Sequence, residues 1–187
     1  IATIPSVAFI DQSKPAKAAV AAFYAKNASR YTIPERRTIR YAIFDKSRFS
    51  GKIKPTEKEI AGFYNLNKNR YSASETRSLS QAEIVSELTR TKTDEAIADL
   101  TIRLEDEFAD GATLGDIAKA EQLKIEATPA LLANGQNPND QNYKPIPEMQ
   151  RLLPIAFAVE EDSDPQIVEI IPGEKYAAIN VTEIVEA

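Results

Sequence analysis

KPAKAAVAAFYAKNASRYTIPERRTIRYAIF (residues 14–44) is followed, further along the chain, by KPTEKEIAGFYNLNKNRYSASETRSLSQAEI (residues 54–84). Lys-Pro, Phe-Tyr, Asn, Arg-Tyr and Glu-x-Arg fall at matching places in the two stretches. Roughly a third of the aligned positions are identical without a gap, as expected of one repeated supersecondary unit. Each copy reads as a helix opened by proline, a polar bend and a strand. Pro15 and Pro55 suit a first helical turn, where a missing N–H costs nothing. The first helix should end near Asn27, and the second should run over about Thr56–Asn67. Arg37–Phe44 alternates Ile39, Tyr41 and Ile43 with Arg40 and Ala42, the period of a half-buried strand. The gapless match predicts superposable helix–strand units, with Phe23 and Phe63 buried at equivalent places. It also predicts Glu35 and Glu75 beside Arg37 and Arg77, two positions on along one strand face. Tyr24, Tyr31, Tyr64 and Tyr71 recur with the unit and read as packing residues.

Beyond Arg77 the pattern changes. Ser78–Val85 reads as a strand, Thr93–Ala109 as a helix capped by Thr93 or Asp94, and Leu114–Glu121 as a second helix capped by Thr113. Leu123–Ala127 reads as a short strand, and a loop rich in Asn, Gly and Pro fills Ala133–Pro147. A helix over Pro147–Ala158, interrupted by Pro154, precedes a hairpin of Val168–Ile171 and Tyr176–Val185 that turns at Pro172-Gly173. Ile4–Ile10 (IPSVAFI) reads as an edge strand. The expected fold class is α+β. Residues 1–77 form tandem helix–strand connector repeats, and residues 78–187 form an antiparallel sheet flanked by helices. The chain opens at Ile1 without Met, inside an apparent strand, so any leader or membrane anchor is expected upstream of it.

Composition removes whole classes of chemistry. The chain holds neither cysteine nor histidine. Ser-His and Cys-His nucleophiles, histidine proton shuttles, histidine-ligated metals and disulfide frameworks are therefore excluded. Charge is divided: residues 14–77 carry fifteen Lys/Arg against five Asp/Glu, and residues 78–187 carry eight against twenty-two. The basic residues are interspersed with Glu35, Glu57, Glu59 and Glu75, which reads as a solvated face and not a nucleic-acid surface. Gly111-Ala-Thr-Leu-Gly115 follows a helix and lacks the Lys-Ser/Thr of a phosphate loop, so it is a helix–helix turn. Glu160-Glu161-Asp162 with Asp164 reads as a solvated turn without metal-ligand spacing. Asn27-Ala-Ser29 and Asn180-Val-Thr182 match the glycosylation sequon inside expected structure. No catalytic constellation, metal site or cofactor site emerges.

The module KPxxxxIAxFYxxNxxRYSxxExRSLSQ (Lys54–Gln81) precedes Gly111-x-x-Leu114, Pro147-Glu148-Met149 leading to Ala156-Phe157, and Pro172-Gly173-x-x-Tyr176-Ala-Ala-Ile-Asn-Val-Thr-Glu-Ile184. In that order these motifs resemble the periplasmic part of PpiD/SurA-like chaperones, which carry parvulin-type (PpiC-type) peptidyl-prolyl isomerase domains. The resemblance covers nearly the whole chain, with 1–77 as the connector and 78–187 as the parvulin-like domain. It implies a periplasmic location, tethering to the inner membrane by an upstream anchor, and clients that are unfolded or newly translocated polypeptides, outer-membrane proteins among them.

The chain departs from that family at the polar centre. An active parvulin usually has a histidine in its first strand, in a pattern like SHIL, where this chain has Ser80-Gln81-Ala82-Glu83. A second histidine usually follows an aromatic in the last strand, and here Ala177 follows Tyr176. The acidic or Cys residue of the middle strand has no counterpart near Lys124–Thr128, and the following Gly-Gly is reduced to Asn134-Gly135-Gln136. The resemblance therefore implies a folding-chaperone module that binds extended polypeptide through a degenerate parvulin-like domain. Its candidate groove is framed by Gln81, Met149, Phe157 and Ala177, with no catalytic residue. The alternative is an active isomerase with a histidine-free pocket, because X–Pro rotation needs only relief of a torsional barrier of ~18–20 kcal/mol. For Met149 and Phe157 the competing reading is that they fill the core between helix and sheet.

Overall fold

The computed structural model describes residues 14–71, 77–161 and 163–187, and of 77–80 the backbone alone. The expected strand Ile4–Ile10 and the Glu75–Arg77 pair lie outside the described residues. Two compact units divide after Pro34: residues 1–34 with Ala187, and residues 35–186. In the first, helix α1 (Lys17–Asn27) is followed by a 3-10 turn over Ala28–Arg30.

The second unit is α+β. A long strand, β1 (Arg36–Asp45), leads through a 3-10 turn to α2 (Glu57–Leu66), the single turn α3 (Lys68–Tyr71) and the 33-residue α4 (Arg77–Ala109). Then come α5 (Leu114–Ala120), β2 (Ile125–Ala127), β3 (Leu131–Leu132), α6 (Met149–Ala156), β4 (Gln166–Ile171) and β5 (Lys175–Val185). The sheet is antiparallel with strand order β2-β1-β5-β4, and β3 adds to β1 beyond β2. No helix among the described residues is long and apolar enough to cross a membrane.

Strand alternation sorts the core. Ile39, Tyr41, Ala177, Ile179 and Val181 pack with Met149, Leu152 and Ala156 of α6 on one face. Ala42, Phe44 and Ala178 meet Ile97, Leu100, Leu104 and Phe108 of α4 and Ile117 of α5 on the other. Helix ends follow their sequence signals. Thr113 and Asp116 form a reciprocal capping box on α5, and Gly111, at φ +91°, ends α4.

The repeat is preserved only in part. Both copies are helical at Val20–Tyr24 and Ile60–Tyr64, and the first ends in β1 as expected. In the second, Ser78–Val85 is the start of α4 and not a strand, and Thr93 lies inside that helix with its hydroxyl donating to the Thr89 carbonyl at 2.7 Å. The reason is legible in the residues. Where β1 carries Tyr41 and Ile43 to feed one face of the core, the second copy has Gln81 and Glu83, and no Gly or Pro interrupts 77–109. Burial differs too: Phe23 is 54% exposed, whereas Phe63 is half-buried. Glu35 does pair with Arg37, at 2.6 Å. The strand beside β5 is β1 and not Ser78–Val85: it pairs from Arg36↔Val185 to Asp45↔Lys175. With β1 as the first strand, the order strand, helix, helix, strand, helix, strand, strand holds once the two-residue β3 and the segment α2–α3 are set aside. Helices α2 and α3 are inserted after β1.

The insertion is pinned to α4 by charge. Glu59 accepts from Lys92 Nζ at 2.5 Å and from the backbone N–H and hydroxyl of Thr56 at 2.7 and 2.9 Å. The Lys92 bond first, then those from Thr56, hold the Glu59 carboxyl at about 2, below its ordinary 4.5. A depressed carboxyl stabilises the fold above its unfolded pKa and loses that contribution as pH falls through the folded value. The expected result is a Glu59 carboxyl signal titrating near pH 2 by NMR. Acid destabilisation between pH 4.5 and 2 should be smaller in Glu59→Gln.

Candidate functional site

The face of the sheet under α6 gathers the polar groups nearest the expected groove. Arg37, 8% exposed, donates to the carbonyl of Ala156 at 2.6 Å and to that of Val159, and its guanidinium lies 5.1 Å over the Phe157 ring. It thus caps the C-terminal end of α6, where carbonyls lack helical partners. Tyr41, buried in the sheet, donates its hydroxyl to Glu126 Oε2 at 2.9 Å. Glu126 in turn takes Lys124 at 2.6 Å, and Lys175 reaches Glu148 at 3.1 Å.

Burial and hydrogen bonds displace the titration of these groups, the phenols upward and the carboxyls downward. Burial first, then the bond to Glu126, raises the Tyr41 phenol, and burial raises Tyr143. Hydrogen bonds from Lys124 and then Tyr41 lower Glu126. Bonding to its own backbone N–H, and then Lys175, lowers Glu148. The Tyr41–Glu126 bond joins a phenol shifted up to a carboxylate shifted down and ties β1 to β2. Among the described residues no group of acidic side chains is placed to hold a metal ion.

The four groove residues do not come together as expected. Gln81 is exposed on α4, not on a strand beside Ala177, because the residues around it are helical. Ala177 stands on β5 opposite Ile43 of β1 and Val168 of β4. Met149 and Ala177 do share a cluster, but at 1% and 0% exposure they lie inside the core, and the half-buried Phe157 packs against it. Arg37 and Tyr41 were missed as members of this face. Their signal was present, since both project from the alternating strand that the sequence identified.

No family model matches the chain, and neither a curated protein nor a solved structure matches it.

What the sheet leaves open is an edge. β4 is the last strand in the order, and among the described residues no strand pairs with its outer side. Its sequence, QIVEII, has one charge. Glu169 is turned onto the hairpin, accepting from the Gly173 N–H at 2.7 Å and the Tyr176 hydroxyl at 3.2 Å. Ile171 remains 42% exposed. Soluble proteins usually blunt such edges with charge, because unpaired backbone groups recruit other strands. This edge is weakly blunted.

Proposed function

We propose that the chain is a folding-chaperone module of the periplasm that binds unfolded or newly translocated polypeptide without chemistry. Its scaffold is a histidine-free, parvulin-like sheet. The observation that carries the binding mode is the apolar edge of β4, unpaired among the described residues, onto which an extended client adds as a further strand. Main-chain hydrogen bonds to such an edge are indifferent to sequence, which suits many clients, outer-membrane polypeptides among them. The element order beginning at β1 and ending in the β4–β5 hairpin supports the parvulin likeness.

Capture of an unfolded outer-membrane polypeptide tests this. Ile171→Lys places a charge on an already exposed edge position. Capture should weaken several-fold while the unfolding transition stays cooperative at an unchanged midpoint. Unaltered capture would remove β4 from the account. Robust acceleration in a protease-coupled proline-peptide assay would replace binding with isomerisation.

A further inference from the structure

The two repeats share a local structure that, among the described residues, is covered in only one of them. In each, the Asn side chain closing the helix donates to the Phe carbonyl, Asn27 to Phe23 at 2.8 Å and Asn67 to Phe63 at 2.9 Å. In each, the Tyr of the Arg-Tyr pair folds back on that Phe. Ring centroids are 6.5 Å apart at 58° for Phe23–Tyr31, and 6.2 Å apart at 53° for Phe63–Tyr71.

In the second copy this knob is seated on α4. Tyr71 is 4% exposed, its hydroxyl donates to Glu87 at 3.0 Å, and Arg70 reaches the same carboxylate at 3.2 Å. Ile84, 2% exposed, stands one helical turn before Glu87 on the same face. In the first copy the matching side chains are bare: Val20, Phe23, Tyr24 and Tyr31 are each more than half exposed, and no residue of α1 is buried. An 11-residue helix is too short to be stable alone in water. The charged residues of 14–34 are Lys14, Lys17, Lys26 and Arg30, all basic, and Ala19 stands where the second copy has Glu59.

We infer that α1 with Arg30 and Tyr31 is a docking site for an acidic amphipathic helix of a partner protein. The second repeat supplies the template for the contact. A carboxylate of the partner receives both the Arg30 guanidinium and the Tyr31 hydroxyl, as Glu87 receives Arg70 and Tyr71. An aliphatic side chain one turn away, at the position Ile84 has relative to Glu87, packs on the apolar side chains that α1 leaves exposed. Because Ala19 replaces Glu59, the partner needs no equivalent of Lys92, and the four cations favour a helix of net negative charge. The residues of this surface are not those of β4, so the two proposals stand or fall apart.

The probe is a peptide of residues 81–95 (QAEIVSELTRTKTDE), titrated into isotope-labelled protein and followed by backbone NMR. Shift changes should fall on residues 17–33. The dissociation constant should rise ~tenfold when the peptide carries Glu87→Gln or the protein carries Tyr31→Ala, the worth of one charge-assisted hydrogen bond. Shifts confined to Phe63–Tyr71, no shifts in 17–33, or equal affinity for the Glu87→Gln peptide would overturn the inference. So would concentration-dependent dimerisation abolished by Tyr31→Ala, which would make a second copy the occupant.

Discussion

Arg37→Ala should lower stability by about 3 kcal/mol, read as a lower urea midpoint at unchanged slope. The side chain is nearly buried and engages three acceptors: Glu35 at 2.6 Å, the Ala156 carbonyl at 2.6 Å and the Val159 carbonyl. Truncation strands two carbonyls at the end of α6 and leaves Phe157 without the guanidinium above its ring. Arg37→Lys should recover only part of the loss, since an ammonium cannot present the planar fork that reaches Glu35 and α6 together. A variant within a few tenths of a kcal/mol of the parent would mean that the α6 end is secured by packing alone.

Met149→Ala should cost about 3 kcal/mol, from lost apolar burial and the cavity left behind. A protein of this size should lose roughly 2–4 °C of melting temperature for each kcal/mol. Met149 is 1% exposed among Ile39, Tyr41 and Ala177, so its loss should loosen the sheet–helix core. Client capture, measured where the variant is still folded, should be unchanged. Weakened capture at unchanged stability would restore Met149 to a binding wall.

The sequence reading succeeded where one physical signal acted alone. The alternation of Ile39, Tyr41 and Ile43 made β1 legible, Pro172-Gly173 marked the β4–β5 turn, and Thr113 marked the start of α5. It failed where the repeat was trusted over local pattern. Ser78–Val85, which aligns with the strand of the first copy, is helical because Gln81 and Glu83 supply no apolar alternation and no breaker separates them from Thr93–Ala109. Homology between the copies constrained the helix, its Asn cap and the Phe–Tyr contact, all local. It could not constrain the following strand, which exists only because β5 pairs with it, and one β5 cannot serve two copies on the same side.

The candidate groove was less legible for a related reason. Met149 and Ala177 share one cluster with Phe157 packed against it, but whether a side chain lines a cavity or fills a core depends on how closely α6 packs on the sheet. Gln81 was misplaced with its strand. The β4 edge left no mark in the residues beyond a single charge in QIVEII, because being last in a sheet is a property of topology.

Amide exchange on the labelled protein, with and without an unfolded outer-membrane polypeptide, tests the central claim most directly. Strand addition predicts that the outward amides of Gln166–Ile171 exchange rapidly in the free protein and become protected when the client is bound, with β1 and β5 unchanged. Saturating client that leaves β4 exchange unaltered would contradict strand addition and, with it, the binding mode proposed for this module.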